Sequence, residues 1–154
     1  MTYLVQGLSP EPFTHLFGLG DQELAALRAR RVRATGGGYP CRVSLVEAGE
    51  GEEVILLNHV SHDVETPYRT SFAIYVRQGA EQARPCHDTL PAMLERRRLS
   101  LRAYDEAGML RAASVAGPGE ADPGVRALLA EPAVSQVHLH NAATGCFLAR
   151  IERD

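Results

Sequence analysis

The 154-residue chain contains no lysine and no tryptophan. All 16 of its cationic side chains are therefore arginine, which excludes a lysine Schiff base, a pyridoxal attachment and the lysine of a phosphate-binding P-loop. Cysteine is scarce, with three in all. None lies in a C-x-x-C pair, so thioredoxin-type redox chemistry and ribbon-type zinc sites are disfavoured. An odd number of thiols without an export signal predicts a reduced, cytoplasmic setting rather than a disulfide framework. There is no run of about 18 apolar residues and no basic start leading into an apolar stretch, which argues against a membrane span or a secreted chain. Positive charge is not in excess. The net charge of -3 and pI near 6.1 leave no electrostatic footprint for nucleic acid or anionic lipid. The motifs G-x-S-x-G, H-E-x-x-H and G-x-G-x-x-G are also missing. Gly36-Gly37-Gly38 is not a phosphate loop, because it leads into a predicted strand instead of opening a helix after one.

What remains is an ordinary globular composition, 45% hydrophobic and 23% charged, with no sign of bulk disorder. A chain of this length buries about 68–70% of its unfolded surface, enough for a core without staples. One domain over residues 1–154 is the expectation. Alternation and turn residues predict a strand at 3–6, a helical turn over 10–17 and a helix at 22–31 capped by Asp21. A hairpin of 39–46 with 53–60 follows, then a strand at 71–77 and a short helix at 90–98. A hairpin of 99–104 with 109–115, a helix opened by Asp122 as cap with Pro123 at its first position, and a last hairpin of 134–141 with 146–152 complete the chain. Helices fall between hairpins rather than after every strand. The fold class is α+β: a mostly antiparallel sheet of hairpins with three or four short helices.

Two polar islands interrupt these apolar strands. One is Gly38-Tyr39-Pro40-Cys41-Arg42; the other is His138-Leu139-His140-Asn141, closing through Thr144-Gly145 onto Cys146. Strands favour β-branched and aromatic residues, so Cys, Arg, His and Asn at these positions indicate either a hydrogen-bonded interior or a site.

The order of several short segments carries a resemblance. They are Tyr39-Pro40-Cys41-Arg42-Val43-Ser44-Leu45, Pro67-Tyr68-Arg69 ahead of Ile74-Tyr75-Val76, and Leu101-Arg102-Ala103-Tyr104-Asp105. Val137-His138-Leu139-His140-Asn141-Ala142, Gly145-Cys146-Phe147 and Arg150 follow. Together these resemble the small bacterial family known as domain of unknown function 1203, from the first helix to the C-terminus. The resemblance implies one compact domain and brings no reaction, cofactor or catalytic residue with it. Other members often carry Arg-Ser where this chain has His140-Asn141, which takes weight off a role specific to His140.

Read from the residues alone, three chemistries compete. His138 and His140 are two apart on a predicted strand and project to one face. Such a pair can hold a metal if further ligands join from His59, Cys41 or His62 and Asp63; the plainer alternative is two hydrogen-bonded histidines on a half-buried strand. Cys41 beside Arg42 is a candidate thiolate nucleophile, with His138 as a candidate base, against the plainer reading of a packed cysteine. Cys146 is a weaker case of the same kind. Cys86-His87-Asp88 is no triad, because adjacent side chains diverge. Arg42, Arg69, Tyr75, Arg102, His138, His140 and Asn141 form a candidate pocket for a small anion, since the planar guanidinium suits carboxylate and phosphate. Internal pairing with acidic residues is the alternative there. The arginines at 96–98 are expected to be a solvated face at the end of a helix. The favoured function is a soluble module binding a small anionic ligand. The second reading is a small enzyme using a His-x-His metal or a Cys41 thiolate in hydrolytic or redox chemistry. The sequence names no cofactor. Exposed sheet edges make a homodimer an expectation.

Overall fold

The computed structural model describes residues 1–154. Nine strands form two antiparallel sheets, and three short helices lie between them in the chain. The strands are β1 (Tyr3–Gln6), β2 (Arg30–Arg33), β3 (Glu53–His62), β4 (Thr70–Arg77), β5 (Cys86–His87), β6 (Leu99–Tyr104), β7 (Leu110–Ala116), β8 (Gln136–Asn141) and β9 (Phe147–Arg153). The helices are α1 (Asp21–Ala26), α2 (Ala92–Glu95) and α3 (Ala121–Ala130). The α+β architecture is as the sequence predicts.

The larger sheet has the order β5-β1-β9-β8-β6-β7. Period-2 alternation gives it two distinct faces. Leu99, Leu101 and Ala103 of β6, Val137 and Leu139 of β8, and Ala149 and Ile151 of β9 are buried together with Val125 and Leu129 of α3 and Met93 and Leu94 of α2. The opposite face carries the polar alternates, Arg102, His138, His140 and Arg150. The register sets Arg102 and Arg150 on either side of His138. A bulge in the β8–β9 pairing places Phe147 opposite His140 and leaves Leu148 in the apolar core.

The smaller sheet is β2-β3-β4. Its Ile55, Ile74 and Val76 pack against the N-terminal segment through Phe13, Leu16 and Leu24. β2 is an edge strand of sequence Arg-Arg-Val-Arg, a composition that discourages further pairing. β7, the edge of the larger sheet, is less protected: Ala113, Ser114 and Val115 are exposed.

Three expectations are corrected. The segment 39–46 does not form a strand or a hairpin with β3. It folds into turns, in which Cys41 N donates to Val46 O, Leu45 N donates to Cys41 O, and Leu45 adopts φ 54°. Only isolated bridges remain, Pro40 to Glu47 and Cys41 to Tyr75. β3 pairs with β2 and β4 instead. The first helix begins at Asp21, which lies in its first turn while Gly20 takes the cap position without a side-chain bond, and it ends at Ala26, well short of 31, because Arg28 turns left-handed at φ 57°. Asp122 is not the cap of α3 but lies in its first turn. There it accepts hydrogen bonds from Arg126 Nε and from the Tyr3 hydroxyl.

That last contact ties the N-terminal strand to α3. Tyr3 is fully buried, its hydroxyl donates to Asp122 Oδ1 at 2.7 Å, and the Arg126 guanidinium lies 4.9 Å from its ring centre. Burial, then the bond to Asp122, raises the Tyr3 pKa. Tyr3→Phe keeps the ring and deletes the bond, so urea unfolding should show a loss of about 1 kcal/mol. A variant as stable as the parent would mean that the bond contributes nothing net.

Candidate functional site

The two polar islands meet in space. The turn that carries Arg42 is fixed on both sides: Arg42 N donates to Tyr75 O on β4, and Arg42 O accepts from Leu8 N. From there the side chain crosses to the larger sheet. Nε donates to Phe147 O at 2.7 Å and Nη1 to Pro40 O at 2.6 Å. The residue is 3% exposed. Burial lowers its pKa to about 10, which leaves the guanidinium charged at neutral pH. No carboxylate lies within ion-pair distance of it. Its Nη2 donates to no protein group, yet it is not among the sealed unpartnered atoms, Ser44 Oγ, Ser61 Oγ, His138 Nδ1 and His140 Nε2.

Beside Arg42 is a cleft of about 310 Å³ lined by Gly38, Pro40, Leu56, Ala73, Tyr75, Arg97, Asn141, Thr144, Cys146 and Leu148. The β8–β9 loop is shaped by its own polar atoms. Asn141 Oδ1 accepts from the backbone N–H of Ala143 and Thr144, and Thr144 Oγ1 accepts from Cys146 N. Those bonds fix the Asn141 amide orientation and leave its NH₂ group and the Thr144 hydroxyl proton uncommitted. Arg97 forms an ion pair with Glu47 and donates to Met93 O. The expectation of a solvated arginine triplet is wrong at this position, where the side chain is 14% exposed. Nothing in the run 96–98 says which arginine turns inward. The partner that decides it, Glu47, is far away in the sequence.

Of the residues proposed from the sequence, Arg42, Tyr75 and Asn141 line the cleft. Arg69 does not: it is exposed and pairs with Asp63 at 3.0 Å. Arg102 is half-buried near the Phe72 ring, with Nε donating to Ser100 Oγ. Cys41 is fully buried, and its Sγ accepts from Ser44 N and Arg77 N. Its packing partners are Phe13, Val43, Ile74 and Val76.

His138 and His140 share a face as expected, with ring centres 6.2 Å apart. They form the seam between the sheets together with His62, Tyr104, Phe72 and Phe147. Each ring has one anchored nitrogen. His138 Nε2 bonds Gln136 Oε1, His140 Nδ1 bonds Gly145 O, and His62 Nε2 bonds Gly108 O. Burial, followed by the nearby charges of His62, His140, Arg150 and Arg102, lowers the His138 pKa to about 3. Burial lowers His140 to about 4 against the opposing bond to Gly145. Both rings are neutral at physiological pH. His59 does not join them; it faces Phe13, on the far side of a bulge between Val60 and His62. No three His, Cys, Asp or Glu side chains are placed to hold a metal ion.

A wider cleft of about 470 Å³ runs past Asp105, Glu106 and Arg153. Arg153 is already committed to the carbonyls of Leu129 and Glu131, and Asp105 Oδ1 to Met109 N. This cleft offers no uncommitted buried charge.

Residues 38–153 match the family described as a protein of unknown function (DUF1203). The chain belongs to this family. No curated protein and no solved structure matches the chain. The DUF1203 match begins at Gly38 and so excludes the first helix, a shorter span than the resemblance implied. It includes every residue that lines the Arg42 cleft. No helix of this DUF1203 member is long and apolar enough to cross a membrane.

Proposed function

We propose that this protein binds a small anion in the cleft beside Arg42. The observation that carries the reading is a buried guanidinium with two carbonyl partners, no carboxylate partner and one uncommitted nitrogen. A buried charge costs several kcal/mol unless it is paired. Most other arginines here have an acidic partner: Arg31, Arg33, Arg69, Arg77, Arg97, Arg111, Arg126 and Arg150 all do. An anion at Nη2 supplies to Arg42 what the chain does not. The enzymatic reading has less support. The Cys41 thiol is sealed and committed to two backbone donors, and the bare nitrogens of His138 and His140 are sealed too.

The test is calorimetric titration with acetate and phosphate at low ionic strength. Binding by the parent and none by a folded Arg42→Gln variant is the expected result. Equal binding by both would place the anion elsewhere.

The thiols give an independent check. Cys41 is fully buried, whereas Cys86 and Cys146 are partly exposed. A thiol-specific disulfide reagent should modify two cysteines in the folded protein and all three in denaturant. Three fast-reacting thiols in the folded state would contradict the burial of Cys41.

A further inference from the structure

The reading above leaves the class of anion open, and the cleft's walls narrow it. We infer that the ligand is a monocarboxylate with a small apolar body, carboxylate on Arg42 and body against Leu56, Ala73, Tyr75 and Leu148; this rests on the proposed anion site.

Charge is the first argument. Two arginines line the cleft, but Arg97 is matched by Glu47, so one unmatched positive charge remains. A carboxylate carries one negative charge. A phosphate monoester or inorganic phosphate carries about 1.5 to 2 at neutral pH, more than the single unmatched guanidinium balances.

Hydrogen bonding is the second. Arg42 Nη2, the Asn141 NH₂ and the Thr144 hydroxyl proton are uncommitted donors of the lining, and the Tyr75 hydroxyl, also without a partner, can add a fourth. An ionised carboxylate is acceptor-only, so it uses these donors without bringing a proton that needs an acceptor.

The third argument is the shape and polarity of the rest of the cleft. Pro40, Leu56, Ala73, Leu148 and the Tyr75 ring form its apolar part. Tyr75 is held in place by the Tyr39 ring at 5.2 Å. Pro40 and Leu148 are already buried, but a bare inorganic anion leaves Leu56, Ala73 and the Tyr75 ring in contact with water, whereas an alkyl or aryl body covers them. The volume is at the lower end of the range of about 300–1,000 Å³ usual for small-molecule pockets, which suits a body of a few carbons or one ring.

The test is a titration series on the full chain with acetate, butyrate, benzoate and inorganic phosphate. Butyrate and benzoate are expected to bind about tenfold more tightly than acetate, the increment for covering a few carbon groups. Ala73 is exposed, so Ala73→Gln should fold normally while placing a polar group on the apolar wall. It should shrink the benzoate-to-acetate ratio without abolishing acetate binding. A wild-type measurement needs no variant: saturating benzoate should slow modification of Cys146 and leave Cys86 unchanged. Phosphate binding more tightly than benzoate, lost in Arg42→Gln, would overturn this inference and keep the anion site. No binding of any of the four would overturn both. Benzoate binding that neither protects Cys146 nor responds to Ala73→Gln would place the carboxylate outside the cleft and overturn the inference.

Discussion

Between pH 7 and pH 5 the folded state should lose about 4 kcal/mol of stability to the two histidines of the sheet seam. The sign follows from the direction of their shifts. Both pKa values are depressed on folding, to about 3 for His138 and about 4 for His140. At pH 5 the unfolded chain, with ordinary values near 6.5, binds protons that the folded rings refuse. The stability is therefore fully present above about pH 6.5 and is lost as the pH falls toward the folded values. Each ring contributes about 2 kcal/mol at pH 5, from roughly 1.4 kcal/mol per pH unit below 6.5. The surroundings leave a new proton no partner. His138 faces His62 from β3, Tyr104 from β6 and Phe147 from β9, and it is flanked in register by Arg102 and Arg150. His140 faces Phe72 and Phe147, with Arg102, His62 and Arg42 opposing a positive charge. No carboxylate appears among the groups that shift either ring. Urea unfolding at pH 7 and pH 5 measures the loss, and His138→Phe should remove about half of it. An unchanged pH slope in that variant would show that the acid sensitivity lies outside the seam.

That seam also shows how far the sequence could be read. The shared face of His138 and His140 follows from strand periodicity alone, and the structure repeats it. That the rings would be buried and neutral does not follow, because it depends on Tyr104 and Phe147 and on His62 from the other sheet. The failed hairpin at 39–46 has the same origin. Cys41, Val43 and Leu45 alternate as a strand face should, and all three are buried. Their backbone partners are local turns and the edge of β4, however, so the alternation records burial rather than strand pairing. The residues of the proposed anion site divide along the same line. Arg42 and Asn141 were visible as polar residues in apolar strands. Arg97 looked like one of three equivalent arginines until Glu47 was placed beside it. Arg69 resembles Arg42 in the sequence because nothing local distinguishes an arginine paired with Asp63 from one left without a carboxylate, and Arg102 because nothing local shows that its side chain lies by Phe72 and Ser100, outside the cleft.

Gly7→Ala should be among the most damaging single substitutions, costing about 3 kcal/mol or more. A Cβ at Gly7 would collide with Val43 O and come 3.3 Å from Ala83 Cβ. The first contact is with backbone, and that backbone is pinned. Val43 O accepts from Ala83 N at 2.9 Å, and one residue along, Leu8 N donates to Arg42 O at 2.8 Å. The Gly7 carbonyl itself accepts from Gln82 Nε2 at 2.9 Å. No flexible side chain can yield, so the chain after β1 and the turn 41–45 must separate, and the bond from Leu8 to Arg42 goes with them. The melting temperature should fall by roughly 6–12 °C. Affinity for a carboxylate should fall with it, because the turn displaced by the methyl group is the one that aims Arg42. Gly18→Ala is the internal control: a Cβ there has nothing within 4 Å, and its effect should stay within about 0.5 kcal/mol. If Gly7→Ala were as stable as Gly18→Ala, the close approach between β1 and the Arg42 turn would be wrong. If Gly7→Ala lost stability but kept its affinity for benzoate, the turn would be holding the fold without positioning the site.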